Sequence, residues 1–155
     1  MNISLIRAGV GDAERIHAMQ VEAFSALLDK YQDAATNPAS ESVERVRQRL
    51  EQGWTYYYII MADGDVAGAI RVVDGRNGSR KRISPLFVLP GYRNRGVAQE
   101  AIRLAEELHG ASGWALDTVL QEPGNCHLYE KMGYRRTGKT RVVNERLTLV
   151  DYEKD

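Results

Sequence analysis

Apolar positions recur along this chain with two different periods, and the switches between them mark its elements. Over residues 13 to about 30, Ile16, Met19, Ala23, Leu27 and Leu28 stand at the spacing of one helix face, and Asp12 precedes them as an N-cap. After the loop Thr36-Asn37-Pro38, Ser40 or Ser42 can cap a second helix that carries Val43, Val46 and Leu50 on one side and ends at Gly53. The intervening segments read as strands. Residues 2–7 carry Ile3, Leu5 and Ile6, residues 54–62 are dense in aromatic and β-branched side chains, and residues 66–73 form their hairpin partner across Asp63-Gly64-Asp65. A polar stretch leads to a strand over 82–89, which Pro90-Gly91 stops. The clearest helix covers 95–109, with Val97, Ala101, Leu104, Ala105 and Leu108 as its buried stripe and Gly110 at its exit. A strand over 114–119, a short helix over 123–132 and a last strand pair over 134–143 and 145–152 complete the chain.

The predicted order, β-α-α-β-β-β-α-β-α-β-β, mixes hairpins with helical crossovers and calls for a sheet with helices packed on it. No repeat, low-complexity tract or boundary interrupts it, so residues 1–155 are expected to form one domain. Lys plus Arg equals Asp plus Glu, so neither nucleic acid nor an anionic membrane is expected as the main partner. The basic group Arg76, Arg80, Lys81 and Arg82 lies in a loop with few aromatics and gives that class little support. The lone Cys126 offers no disulfide and no metal-site spacing, and no metal is expected. With neither a signal peptide nor a membrane span in view, the expected location is the cytoplasm.

The chemistry gathers where a buried strand runs through Leu86, Phe87, Val88 and Leu89 into Pro90-Gly91-Tyr92-Arg93-Asn94-Arg95-Gly96-Val97-Ala98 and opens the best helix. A helix N-terminus presents unpaired N–H groups and partial positive charge, and arginines there suit a bound phosphate or pyrophosphate. Neither G-x-G-x-x-G after the first strand nor G-x-x-x-x-G-K-[ST] is present.

Val88-x-Pro90 followed by Arg93-x-x-Gly96-x-Ala98 resembles the acyl-coenzyme A signature of GNAT acyltransferases, Q/R-x-x-G-x-G/A. Further along, Leu128-Tyr129-Glu130-Lys131-Met132-Gly133-Tyr134 resembles the superfamily's L-Y-E-K-x-G-F/Y motif, and Arg7-Ala8-Gly9 with Asp12-Ala13 fits its opening. The resemblance implies an α/β (α+β) fold whose mixed, mostly antiparallel sheet of about seven strands is flanked by about four helices. It also implies acetyl-CoA as co-substrate and transfer to a small-molecule or peptide amine. Main-chain contacts to coenzyme A are expected from Phe87, Val88, Arg93, Asn94, Arg95, Gly96, Val97 and Ala98. Tyr129 is expected near the thioester as general acid, since a phenol with pKa of about 10 can protonate a thiolate whose acid is near 8.5. Glu122 and Asn125 stand where family members often place an asparagine and an alanine, and Asn125 remains within the expected cofactor set. Homodimerisation is a family habit for which the C-terminal strands could offer an edge. A non-catalytic acyl-CoA sensor would keep the loop without needing Tyr129.

No carboxylate lies on the strand before the loop, so the base stays open among Glu22, Asp117, Glu122, His127 and water. Direct transfer needs no acyl-enzyme on Cys126. The acceptor is expected against the first two helices and the 54–73 hairpin, near Tyr31, Trp54, Tyr56, Tyr57 and Tyr58. The mixed charges of Asp29, Lys30, Asp33, Glu41 and Glu44 there fit a cationic amine and equally a solvated helix face.

Overall fold

The computed structural model describes residues 1–155. Seven strands form one sheet: β1 (Ile3–Arg7), β2 (Thr55–Ala62), β3 (Asp65–Val73), β4 (Lys81–Val88), β5 (Trp114–Val119), β6 (Arg135–Val142) and β7 (Thr148–Lys154), in the spatial order β1-β2-β3-β4-β5-β7-β6. Every neighbouring pair is antiparallel except β4 and β5. Four helices flank it: α1 (Ala13–Tyr31), α2 (Val43–Glu51), α3 (Val97–His109) and α4 (Pro123–Lys131). The mixed, mostly antiparallel sheet with four helices is the expected architecture.

Each face of the sheet has its own core. On one face, Ile16, Met19 and Ala23 of α1 and Val46 of α2 pack on Tyr57, Ile59, Ala69 and Phe87. On the other, Val97, Ala101, Ile102 and Ala105 of α3 meet Tyr58, Ile60, Ala62, Ile70 and Val72, continuous with Cys126 and Tyr129 of α4. Strand β2 is therefore apolar on both sides, which erases the alternation that would have told its faces apart. Its aromatics are packing residues. The Tyr57 hydroxyl donates to Gln20 Oε1 (2.7 Å), Tyr58 pairs with His109 Nε2 (2.7 Å), and Trp54 is exposed. Of the aromatics expected around the acceptor, only Tyr31 lies beside α4.

Helix α3 differs from its sequence reading in two ways. It starts at Val97, with Gly96 as a left-handed N-cap (φ +77°), because Asn94 and Gly96 both take positive φ and hold Arg95 outside the helix. Its buried stripe is Val97, Ala101, Ile102 and Ala105; Leu104 is half-buried and Leu108 is 59% exposed. Ile102 turns the stripe away from Leu108, whose turn has passed beyond the apolar surface.

Strands β3 and β4 approach closely at Gly68, where an added Cβ would lie 2.1 Å from the Phe87 carbonyl oxygen. Backbone cannot yield as a flexible side chain does, so Gly68→Ala should cost about 2–3 kcal/mol, read as a lowered midpoint in denaturant unfolding.

Candidate active site

The sheet splits where its one parallel pair begins. β4 and β5 pair only at Lys81–Trp114 and Arg82–Ala115, then diverge; the Arg82–Asp117 ion pair (3.5 Å) spans the start of the gap. Past that point no strand pairs β4 on its β5 side. Leu89 donates to Ala67 (2.7 Å), so the alternation of an antiparallel ladder turns the polar groups of Phe87 toward β3 and those of Val88 toward the gap. Arg93 Nε donates to the Val88 carbonyl (3.0 Å), which leaves the Val88 N–H facing the gap. Of the two strand residues expected to contact coenzyme A, Val88 presents its main chain to the opening. Phe87 turns its ring onto Phe24 (5.6 Å between centroids) instead.

The loop after β4 supplies a row of free donors. The first α3 hydrogen bond runs from Glu100 N–H to Gly96 O (3.1 Å), and no side chain caps the helix. The six amides from Asn94 to Gln99 accordingly have no acceptor within the chain. Arg93, Asn94, Arg95 and Gly96 are exposed, Ala98 is half-buried, and Val97 anchors the turn in the core. Consecutive N–H groups at a helix start, with no side chain on Gly96 and only a methyl on Ala98, form a cradle fitted to a pyrophosphate.

The two arginines divide the work. Arg93 spends its guanidinium on main chain, donating to Val88 O and to Ala23 O of α1 (2.9 Å), and so locks the loop to the strand and the first helix. Arg95 makes no hydrogen bond or ion pair within the chain and is the free cation at the cradle. Arg93→Ala should lower stability by about 1 kcal/mol, because these charge-assisted bonds are partly screened at an exposed site. It should also weaken acetyl-CoA binding several-fold; calorimetry beside thermal unfolding separates the two effects.

Tyr129 is buried in the cluster that also holds Ile83 of β4 and Leu116 of β5, one from each wall of the gap, and Leu86 and Val88 pack against it. Tyr134 and Tyr152 flank its ring at 6.0 and 6.3 Å. Its hydroxyl bonds nothing in the chain, yet it is absent from the sealed unpaired atoms, which are Gln52 Oε1 and Arg71 Nε; it therefore meets open space. Burial, then the charges of Asp117 and Cys126, push the phenol above its usual pKa, so it stays protonated at neutral pH. Asn125, one turn before Tyr129, is exposed with a free side chain.

None of the side-chain bases is poised. The Glu122 carboxylate accepts from Lys30 Nζ (2.8 Å) and the Tyr31 hydroxyl (2.5 Å), tying the end of α1 to the start of α4. Partial burial pulls its pKa upward, but those two hydrogen bonds outweigh it and hold the carboxyl below the usual range. Asp117 is engaged by Arg82, while Glu22 and His127 are exposed.

On the α1–α2 face, a cavity of about 480 Å³ opens between the α1–α2 connector, the start of α2, and Ser84-Pro85 of β4. Of the lining residues, the sequence pointed to Glu41 but not to Arg45, Arg49 or Ser84. The signal available was Arg71, an arginine within the apolar run of β3, which lies on this face and donates to Ser84 O (2.6 Å).

Comparison with known proteins agrees with this geometry. The family model described as acetyltransferase (GNAT) domain matches residues 25–155. Mycothiol acetyltransferase from Geodermatophilus obscurus is 30% identical over 146 residues, covering 93% of this chain and 47% of that protein. The chain thus spans about half the length of the curated relative it matches. Spermidine N-acetyltransferase from Vibrio cholerae, solved with CoA and spermine, superposes with a TM-score of 0.76 at 16% identity over 97% of this chain and 93% of that one. The ribosomal-protein-S18-alanine N-acetyltransferase from Escherichia coli gives 0.73 at 12% identity over 97% and 92%. At such identities the two structures speak to the fold alone. The split sheet, the amide cradle and the motif-bearing α4 thus sit on a sequence and a fold of one kind, and the chain belongs to the GNAT acetyltransferase family.

Proposed function

We propose that this chain transfers an acetyl group from acetyl-CoA directly to a primary amine, with Tyr129 as general acid. The observation that carries the reading is the run of free amides from Asn94 to Gln99 beside the unpaired edge of β4. Those amides and Arg95 hold the pyrophosphate, and the Val88 N–H holds the pantetheine arm in the gap. Bound there, acetyl-CoA supplies an activated thioester.

The neutral amine attacks the thioester carbonyl carbon, and Tyr129 gives its proton to the sulfur as the carbon–sulfur bond breaks. The proton shed by the new amide nitrogen returns to the phenolate through water. The raised pKa of Tyr129 keeps its proton available throughout the working range. With Glu122 held as a stabilised anion and no carboxylate on β4, the amine enters from its neutral fraction in solution. The rate should then rise with pH up to the pKa of the amine itself. A sensor module would have no use for a buried phenol whose hydroxyl is left without a partner beside the gap.

Initial rates of thiol release across a panel of amines test the reading. Direct transfer predicts intersecting double-reciprocal lines and no burst of free CoA without acceptor. Parallel lines with a stoichiometric burst would instead place the acetyl group on the enzyme. Acting as one domain in the cytoplasm belongs to the same proposal, and no helix is long and apolar enough to cross a membrane.

A further inference from the structure

The cavity beside β4 is walled by charge of mainly one sign. Ser84 stands four residues before Val88, roughly 13 Å along the strand at ~3.3 Å per residue. That places the cavity beside the closed end of the gap, the end farthest from the pyrophosphate cradle, where the non-reacting part of an acceptor would lie. Arg45 and Arg49 of α2 and Glu41 of the connector line it. Glu41 is already engaged: Arg49 closes on it at 2.6 Å and Gln20 Nε2 donates to it at 3.4 Å. Arg45 has no ion pair and no side-chain hydrogen bond.

Beneath them lies Arg71, more than nine-tenths buried, its Nη1 on Ser84 O and its Nε without any acceptor. Burial, then the repulsion of Arg49, brings its pKa down only to about 10, so it stays charged at neutral pH. A guanidinium sealed with an unpaired donor is costly unless opposite charge is brought to it. The start of α2, capped by Ser42, opens on the same space and adds partial positive charge.

Of the other acidic residues expected to attract a cation, none supplies a free carboxylate to the cavity, and Asp29 does not line it. Asp33 is buried on Asn37 Nδ2 (3.2 Å), and Glu44 pairs with Arg47. Two guanidiniums thus line the cavity and a third, Arg71, lies behind its Ser84 wall, while the one lining carboxylate is paired with Arg49.

We infer that this cavity selects amine acceptors that also carry a carboxylate, seated on Arg45 in the field of Arg71, and so disfavours polyamines. The inference rests on the acetyltransferase reading above for its amine, though not for its anion. A planar carboxylate matches the guanidinium fork, and one negative charge offsets part of the surplus left by Arg45 and Arg71.

The test sets free amino acids and dipeptides against their carboxamides and against spermidine, with acetyl-CoA binding measured alongside. The carboxylates should show kcat/KM at least about tenfold above their amides, the scale of one charge-assisted contact. Arg45→Gln should collapse that ratio, whereas Arg47→Gln, outside the cavity, should preserve it. Independently of activity, N-acetyl dipeptides should shift the amide resonances of Arg45 and Ser84 in heteronuclear spectra, and their C-terminal amides should not. Amides or spermidine turned over as well as carboxylates, with acetyl-CoA bound normally, would overturn the carboxylate site and leave the acetyltransferase reading standing. If acetyl-CoA is not bound, that reading fails and the spectra alone decide: shifts at Arg45 and Ser84 uphold the site, and their absence removes it.

Discussion

Replacing Tyr129 with phenylalanine is expected to lower kcat by about 100-fold or more, within the range of a lost general acid, while acetyl-CoA affinity stays within about twofold. The structure makes this a clean test. The Tyr129 hydroxyl has no partner in the chain, so its removal strands no donor or acceptor, and the ring keeps its contacts with Tyr134 and Tyr152. Stability should therefore change by under about 1 kcal/mol. The phenol is raised above its ordinary pKa by burial, so its acidic form is fully present below pH of about 10 and would be lost only above it. The wild-type profile should accordingly show no alkaline fall from this group up to pH of about 10. Stepwise measurement of kcat and KM with stopped thiol detection, beside thermal unfolding, reads all of these.

Gly96→Glu should cut acetyl-CoA affinity at least about 100-fold and leave a folded protein. Gly96 holds φ +77° as the N-cap of α3, and a side chain there costs about 1 kcal/mol of left-handed strain. No atom lies within 4 Å of the added Cβ, so there is no internal clash. A carboxylate at a helix N-terminus returns a few tenths of a kcal/mol. The fold thus loses little. The cradle, however, would receive a negative side chain where two phosphates must approach the amides, and at short range like charges near a protein surface repel by roughly 1–4 kcal/mol each. The effect on binding dominates the effect on stability, and calorimetry beside denaturant unfolding distinguishes them.

The order of elements, the hairpin turning at Asp63-Gly64 and the cradle around Gly96 could be read in the sequence because they depend on local signals: period, turn residues and a contiguous motif. The place of Tyr129 on a short helix closed by Gly133 was legible for the same reason. What stayed hidden depends on contacts between distant segments. The faces of β2 were ambiguous because Tyr57 and Tyr58 are both buried, one under α1 and the other under α3. Leu108 fitted the stripe of α3 but reaches solvent, since periodicity does not tell where the partner surface ends.

The charges around the acceptor were the least legible. Glu41 and Asp33 count as free acids in one dimension, whereas Arg49, eight residues on, and Asn37 take them up. Arg71 comes from another strand and tips the balance to positive. Arg93 likewise looked like a phosphate ligand, yet its side chain is tied to the carbonyls of Val88 and Ala23, the latter seventy residues away.

The central claim, that the split between β4 and β5 and the amides of Asn94 to Gln99 form an acetyl-CoA site, is tested most directly by titrating the intact protein with acetyl-CoA in a calorimeter. The account predicts one molecule bound per chain with a dissociation constant on the order of micromolar, about −8 kcal/mol, competed by free CoA. A folded protein that takes up no acetyl-CoA at millimolar concentration would contradict it, leaving the family fold without its chemistry.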